Sequence, residues 1–130
     1  MSIRNVIEAC YKAYGKRDFD GTMLPFSDDV KFDWPANPSQ SKRNGCCTGK
    51  QAMIDRLADL AQEFEYLDVR LHSLIVDGDH AAARVSMKLK QKETGAEFTN
   101  QSAHFWTFEE GRCVELTEYY DTALLKAYGG

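Results

Sequence analysis

Residues 111–121, near the end of the chain, combine carboxyl groups with aromatic side chains, and the preceding run 104–108 adds an imidazole. A turn at Glu109-Glu110-Gly111 separates the two segments, which predicts an antiparallel hairpin. Imidazoles and carboxyl groups move protons, and a carboxyl group does so near neutral pH when a dry environment raises its pKa. The mixture therefore predicts a lined pocket rather than a plain core.

Strand alternation decides which of these side chains can meet, because successive side chains of a strand point to opposite faces. On the strand that ends with residues 104–108, one face would carry Asn100, Ser102, His104, Trp106 and Phe108. On the strand that follows the turn, one face would carry Val114, Leu116, Glu118 and Tyr120. A single bulge reverses such an assignment. Two interpretations therefore stay open: a proton-transfer pair of His104 and Glu118, or a core histidine beside a solvated glutamate.

Apolar periodicity places helices in the first half of the chain. Residues 3–14 have apolar side chains at helical spacing, with Ser2 able to cap them, and predict a first helix. Asp18 is positioned to cap a short second helix. A third helix opens at Thr48 or Gly49 and carries another apolar stripe.

Alternation and turn residues predict the strands. A first strand covers residues 30–34, after a turn at residues 27–29. Beyond residue 65, turns containing Gly separate four alternating segments, namely 66–76, 80–90, 97–108 and 112–120. Helices that precede a meander indicate an α+β fold. Residues 35–49 are polar and rich in Pro, Asn and Gly, which predicts an exposed loop long enough to act as a lid.

Composition restricts the partners of the protein. Its 130 residues, 43% of them hydrophobic, are enough for one domain over residues 1–130. The net charge of −4 and the lack of long basic runs make nucleic acid and anionic membranes poor partners. The sequence shows no apolar leader and no membrane-spanning segment, so a cytoplasmic location is expected. The four cysteines match no zinc or redox motif and are expected to be reduced, with Cys46-Cys47 either a reactive site or a simple part of the loop.

Three motifs carry a resemblance to a known family: residues 18–29 after the first helix, residues 49–53 at the start of the third, and residues 104–112 before Glu118-Tyr-Tyr-Asp121. In this order and spacing, the chain resembles the nuclear transport factor 2-like superfamily, and within it the SnoaL-like polyketide cyclases and ketosteroid isomerase-like proteins. The resemblance implies a cone, in which a strongly curved, mainly antiparallel sheet wraps three helices and encloses a deep apolar cavity. It also implies a homodimer formed through the outer face of the sheet.

The resemblance assigns roles to particular residues. SnoaL-like cyclases have a histidine at the position of His104 and a catalytic carboxylate at that of Glu118, and limonene epoxide hydrolases also have an acid at the latter. Glu118 would therefore be the acid/base, His104 its partner, and Tyr14 a donor to the developing oxyanion. The implied ligand-binding walls of the cavity are Phe26, Phe32, Trp34, Leu57, Asn100, Ser102, Trp106 and Tyr120.

Three positions depart from these relatives. The phenol of ketosteroid isomerases falls near Cys10, although Tyr14 lies one turn further along the same helix face. The aspartate base of true ketosteroid isomerases aligns with Trp34, which cannot abstract a proton. Strand alternation turns the neighbouring Asp33 outward unless Pro35 distorts the strand. Epoxide hydrolases need an Arg-x-Asp pair where this chain has Arg84-Val-Ser86, and an Arg84 inside the cone would lower the pKa of Glu118. Authentic steroid isomerisation and epoxide opening are therefore not expected.

Two functions of different classes remain. One is an enzyme without metal or organic cofactor that moves a proton on a small apolar carbonyl or polyketide-like compound, in isomerisation, aldol-type cyclisation or dehydration. The other is a non-catalytic protein that binds a small apolar ligand in the same cavity. A protein-interaction module using the outer sheet face is a weaker third alternative. The enzyme predicts that Glu118→Gln abolishes activity, whereas the binding protein predicts unchanged affinity.

Overall fold

A computed structural model describes residues 2–129. The helices of this part of the chain are α1 (Ile3–Gly15), α2 (Phe19–Met23), α3 (Lys50–Glu63) and α4 (Thr122–Ala127). The strands are β1 (Phe26–Trp34), β2 (Gly45–Thr48), β3 (Phe64–Asp77), β4 (His80–Gln91), β5 (Glu97–Glu109) and β6 (Arg112–Tyr120). None of the helices within residues 2–129 is both long and apolar enough to cross a membrane.

The strands form one sheet in the order β2-β1-β6-β5-β4-β3. Neighbouring strands are antiparallel, except that β1 and β6 run parallel. Register shifts interrupt the pairing of β1 with β6, of β3 with β4 and of β5 with β6, and such bulges bend a sheet. The predicted α+β class with a curved, mainly antiparallel sheet is confirmed, and α1 packs against β3.

Three parts of the chain differ from the prediction. β1 begins at Phe26, so that residues 27–29 extend the strand through an irregular pairing with β6 instead of forming a turn. The predicted lid loop contains β2, which pairs with the end of β1. The short helix α4, capped by Asp121, follows β6. Local composition missed these elements because pairing and packing with distant parts of the chain stabilise them.

The helices turn their apolar faces towards the sheet. Ser2 caps α1 by accepting a hydrogen bond from the backbone N–H of Asn5. α1 buries Ile7, Cys10 and Tyr14, as its helical spacing predicts, and it also buries Tyr11. α3 adds a second buried stripe, centred on Met53 and Leu57. These two faces cover the side of the sheet on which the candidate site lies.

The two site-bearing strands differ in regularity. Along β5, the even-numbered residues from Phe98 to Phe108 are buried, and the odd-numbered ones are exposed or half-buried, as predicted. β6 shifts register opposite the step from Thr107 to Phe108. As a result, Cys113 is fully buried whereas Val114, the predicted inward residue, is only half-buried. The alternation resumes further along β6, so that its second half keeps the predicted direction.

Candidate functional site

His104 on β5 and Glu118 on β6 are direct cross-strand partners. The two side chains meet, because His104 Nε2 lies 2.6 Å from Glu118 Oε2. They are 6% and 12% exposed, so both groups are almost completely removed from water. Strand pairing places the two residues side by side, and the inward direction of both side chains brings their polar ends together. We call this pair the dyad; its glutamate is not a solvated strand residue.

Glu118 accepts hydrogen bonds at both carboxylate oxygens. Trp34 Nε1–H donates to Oε1 at 2.5 Å, while His104 contacts Oε2. Burial by itself raises the pKa of Glu118, but the charge of His104 and the hydrogen bonds from His104, Trp34 and Ser102 outweigh burial and hold the pKa below its usual value. The sequence predicted a raised pKa, because it indicated dry surroundings but not these donors. Glu118 is therefore an ionised acceptor at neutral pH.

Tyr11 extends the dyad into a chain of hydrogen bonds. Its Oη lies 2.5 Å from His104 Nδ1 and accepts a hydrogen bond from Trp106 Nε1–H at 3.1 Å. An indole N–H can only donate, so the direction of the latter bond is fixed. When His104 carries one hydrogen, on Nε2, the Tyr11 hydroxyl hydrogen donates to Nδ1. When His104 carries both hydrogens, Nδ1–H donates to Tyr11, whose own hydrogen is then free for a ligand.

Tyr14, the predicted oxyanion donor, does not contact the dyad. Its hydroxyl hydrogen donates to Tyr66 Oη at 2.5 Å. Tyr11 takes the place beside the dyad, and burial raises the pKa of both Tyr11 and Tyr14 well above the usual phenol value. Tyr11 was not among the predicted site residues, although its position four residues after Ile7 places it on the buried face of the same helix.

Two small hollows lie at the site. The dyad hollow, of about 50 Å³, is lined by Tyr11, Leu116 and the predicted residues Tyr14, Phe26, Phe32, Trp34, Leu57, His104, Trp106 and Glu118, among others. The arginine hollow, of about 40 Å³, is lined by Arg43 and the predicted residues Trp34, Asn100, Ser102, Glu118 and Tyr120, among others. Every predicted site residue therefore lines one hollow or both. Each hollow has room for only a few non-hydrogen atoms, so the deep cavity implied by the resemblance is much narrower here.

A thin partition separates the two hollows. The side chains of Trp34, Leu60, Met87 and Glu118 line both of them. Methionine is unbranched, has three rotatable bonds and adapts to irregular spaces. Met87 is therefore the apolar side chain of this shared wall with the most freedom to adapt to a ligand.

Arg43 belongs to the predicted exposed loop, yet its side chain is only 7% exposed. Its Nε donates to Asp59 Oδ2 at 3.0 Å and its Nη2 to Glu63 Oε1 at 3.3 Å. The Tyr120 hydroxyl donates to the Arg43 carbonyl oxygen at 2.6 Å, which fixes the backbone. We call Arg43, Asp59 and Glu63 the arginine cluster. Nothing in the polar composition of the loop could have indicated this burial.

Two charged residues left open by the sequence do not reach the site. Asp33 is half-buried between Phe32 and Trp34 and lines neither hollow. Arg84 on β4 is exposed, so it forms no ion pair with Glu118. Within residues 2–129, no group of three or more His, Cys, Asp or Glu side chains is arranged to hold a metal ion.

The cysteines fall into two groups. Cys10 and Cys113 are buried, and burial raises the pKa of each thiol to about 12. Cys46 is exposed on β2, and Cys47 beside it is half-buried with a raised pKa, also because of burial. All four are free thiols, and only the pair on β2 is accessible to reagents from solvent.

Comparisons with known proteins agree on the fold. A family model described as a SnoaL-like domain matches residues 7–116. A nuclear transport factor 2-like protein of unknown function from Burkholderia pseudomallei superposes with a TM-score of 0.88 at 22% identity, covering 98% of each chain. A candidate SnoaL-like polyketide cyclase from Mesorhizobium loti gives 0.73 at 20% identity, covering 92% of this chain and 100% of its own. A ketosteroid isomerase-like fold from Catenulispora acidiphila, in complex with trimethylamine, gives 0.75 at 15% identity, covering 89% and 85%. No curated protein matches the sequence.

Proposed function

The chain belongs to the SnoaL-like domain family, and we propose that it is a cofactor-independent acid/base enzyme that moves a proton on a small carbonyl compound. The observation that carries this proposal is the dyad, a buried carboxylate in contact with an imidazole in the wall of a hollow. The polyketide cyclase candidate and the trimethylamine complex among the structural relatives support a small-molecule role for the fold. The fold alone does not select a reaction.

In the proposed reaction, Glu118 is the base. Its ionised carboxylate takes a proton from the carbon next to a carbonyl group, and the electron pair of the broken C–H bond moves to the carbonyl oxygen as an enolate. Returning the proton to another carbon completes an isomerisation, whereas attack of the enolate on a second carbonyl completes a cyclisation. Isomerisation, aldol-type cyclisation and dehydration therefore share this first step.

Tyr11 is the proposed donor to the enolate oxygen. With both ring nitrogens of His104 protonated, Nδ1–H and Trp106 Nε1–H both donate to Tyr11, which leaves its hydroxyl hydrogen for the carbonyl oxygen in the dyad hollow. The same state puts a positive charge beside Glu118 and keeps its carboxylate ionised. Tyr11 thus takes the role that the resemblance gives to Tyr14.

The shared first step can be tested without knowing the natural substrate. The test incubates the protein in D₂O with small carbonyl compounds, beginning with acetylacetone, and follows the loss of the α-proton signal by NMR. We expect Glu118→Gln to slow the exchange by about 100-fold or more, because it removes the base. Glu115→Gln is the matched control, since Glu115 is an exposed glutamate on the same strand. Equal rates in the two variants would contradict the proposal.

The two candidate phenols are separated by the same assay. We expect Tyr11→Phe to slow the exchange by about tenfold, because one oxyanion donor is lost, and Tyr14→Phe to leave it nearly unchanged. Circular dichroism and urea unfolding check that both variants keep their fold. The reverse order of the two rates would return the oxyanion role to Tyr14.

A non-catalytic binding protein is the second candidate function. The observation in its favour is that both oxygens of Glu118 already accept hydrogen bonds and its pKa is lowered, which weakens it as a base. This candidate predicts ligand binding without α-proton exchange. It also predicts that Glu118→Gln leaves affinity almost unchanged, whereas Trp34→Ala or Trp106→Ala weakens it, as titration calorimetry would show.

The proposal that the protein is a homodimer has one supporting observation. Phe105 and Tyr119 pack edge to face on the outer side of the sheet and are exposed, and Ile75 is exposed in the same cross-strand row. Exposed apolar groups in a row are typical of protein interfaces. Light scattering coupled to size exclusion should then give twice the chain mass, and a monomer mass would contradict this assembly.

A further inference from the structure

Arg43 has one nitrogen that the rest of its cluster does not use. Nε and Nη2 donate to Asp59 and Glu63, but Nη1 is buried and has no hydrogen-bond partner within residues 2–129. A charged donor that is buried without an acceptor is strongly unfavourable, more so than a neutral one. The position therefore calls for an acceptor that comes from outside the chain.

The polar side chains around the arginine hollow do not supply this acceptor. Asn100 uses both ends of its amide on Asp121, accepting from the backbone N–H at 3.0 Å and donating to the carbonyl oxygen at 3.3 Å. Tyr120 donates its hydroxyl hydrogen to the Arg43 carbonyl oxygen. Glu118 is held by the dyad and by Trp34. An acceptor for Nη1 therefore has to be a ligand group or a water molecule that comes from outside the chain.

We propose that Arg43 Nη1 binds a carboxylate of the substrate, so that the protein acts on small carbonyl compounds that carry a carboxylate, such as β-keto acids. This inference rests on the proposed function and specifies its substrate class as anionic carbonyl compounds, in place of the apolar compounds expected from the sequence. A guanidinium nitrogen offers two N–H groups, and charge-assisted bonds to a carboxylate are stronger than neutral ones. Because Arg43 and Glu118 line the same hollow, a ligand whose carboxylate is bound at the arginine shares that hollow with the proposed base.

The charges around Arg43 permit an anion. Asp59 is mostly exposed, so water screens its charge. Glu63 is largely buried, but it also accepts from Lys42 Nζ at 2.9 Å, which adds a second cation to the cluster. Around Arg43, two cations and two carboxylates are therefore in balance, and the ionised Glu118 that also lines the hollow is matched by His104 when both of its ring nitrogens are protonated.

One competing arrangement uses only water. Glu63 Oε2 is also buried and has no hydrogen-bond partner within the described residues, so a single water molecule could bridge it to Arg43 Nη1. Such a bridge would satisfy both atoms and give no preference for anionic ligands. The experiment below separates the two arrangements.

The two tryptophans of the chain provide a binding assay that does not depend on turnover. Labelling with ¹⁵N-tryptophan gives two indole signals, which Trp106→Phe assigns, and Trp34 lines the arginine hollow. The protein is titrated with acetoacetate and with acetoacetamide, which has nearly the same shape but no charge. We expect the Trp34 signal to report acetoacetate binding about tenfold tighter than acetoacetamide binding.

Variants locate this preference. Arg43→Gln should abolish the preference for acetoacetate. Lys42→Gln should keep this preference, because it removes the same charge from an exposed neighbouring position. If Arg43→Gln does not fold, Arg43→Lys keeps the charge of the cluster but not the second terminal nitrogen, and it should reduce the preference to less than about threefold. Equal affinities in the wild type, no acetoacetate binding, or a preference that survives both arginine variants would overturn the inference.

The outcomes for the two proposals remain distinguishable. A carboxylate preference without any α-proton exchange overturns the acid/base enzyme and leaves anion binding at Arg43 intact. Exchange that depends on Glu118 but shows no carboxylate preference overturns the arginine site alone. A bridging water between Arg43 and Glu63 corresponds to the second result.

Discussion

Glu118 of the dyad and Arg43 of the arginine cluster line the same hollow, but they lie in different kinds of backbone. His104 and Glu118 lie on paired strands, whereas Arg43 lies in the irregular segment between β1 and β2. All three side chains are largely buried. Regular alternation predicts the direction of the first two, and nothing local predicts the third. The sequence therefore encodes side-chain direction where the backbone period is regular, whereas contacts with distant residues determine it elsewhere.

The same difference extends to how each group is held. The dyad depends on strand register, which many backbone hydrogen bonds share. Arg43 depends on a few side-chain bonds, to Asp59 and Glu63 on α3 and to Tyr120 on β6. Single substitutions in the strands should therefore change stability according to the face they occupy. Substitutions at the arginine should change stability according to the partner they lose.

The strongest test of strand alternation compares two neighbouring aromatic residues on opposite faces of β5. Trp106 is 2% exposed and stacks on Phe26 and Phe108, whereas Phe105 is exposed. We expect Trp106→Ala to lower the free energy of unfolding by about 3–5 kcal/mol, because it leaves a large cavity. Phe105→Ala should cost about 1 kcal/mol or less. Urea unfolding measures both, and repeating it at tenfold dilution separates folding from association. Similar losses would show that alternation does not set burial here.

Substitution of Arg43 tests whether its side-chain bonds hold the segment between β1 and β2. We expect Arg43→Gln to lower the free energy of unfolding by about 1–3 kcal/mol, because Glu63 loses a charged partner in a largely buried position. Lys42→Gln should cost less than about 1 kcal/mol, since its ion pair with Glu63 is formed by an exposed side chain. Urea unfolding of both variants gives the comparison. Equal small losses would mean that the arginine does not fix the loop.

The smallest expected effect is a pH dependence at the dyad. In the folded state, burial raises the pKa of Glu118, but the charge of His104 and the hydrogen bonds to the carboxylate lower it by more. Because the net pKa is below the unfolded value, ionised Glu118 stabilises the fold. This contribution is fully present above the unfolded value of about 4.5 and is lost as the pH falls through the lowered value. The difference in stability between the wild type and Glu118→Gln should therefore shrink below pH 4.5. Urea unfolding at a series of pH values measures it, and a constant difference would contradict the assigned direction.

The sequence predicts the fold better than the chemistry. The helical spacing of α1 was sufficient to place Ile7, Cys10 and Tyr14 in the core. The alternation along β5 was sufficient to place His104 and Trp106 inside. The bulge in β6 could not be read, because a register shift depends on the partner strand, and it moved Cys113 into the place expected for Val114.

Hydrogen-bond partners were the main gap in the prediction of the site. Desolvation of Glu118 follows from its apolar surroundings, but the donors on the other strand and on β1 follow only from the three-dimensional arrangement. For the same reason, the sequence could not indicate that Tyr11, rather than Tyr14, contacts His104. Both lie on the buried side of α1, and only the position of Tyr66 decides which phenol is left beside His104.

The parallel contact between β1 and β6 has a consequence for the order of folding. Trp34 and Glu118 touch across a separation of 84 residues, although their strands are neighbours in the sheet. Closing so long a loop costs entropy before any contact repays it, and pairings of this kind form late. During synthesis, the carboxylate can receive its indole donor only after the 84 residues that follow Trp34 have also left the ribosome. Completing the hydrogen bonds of the dyad and completing the sheet are therefore one event.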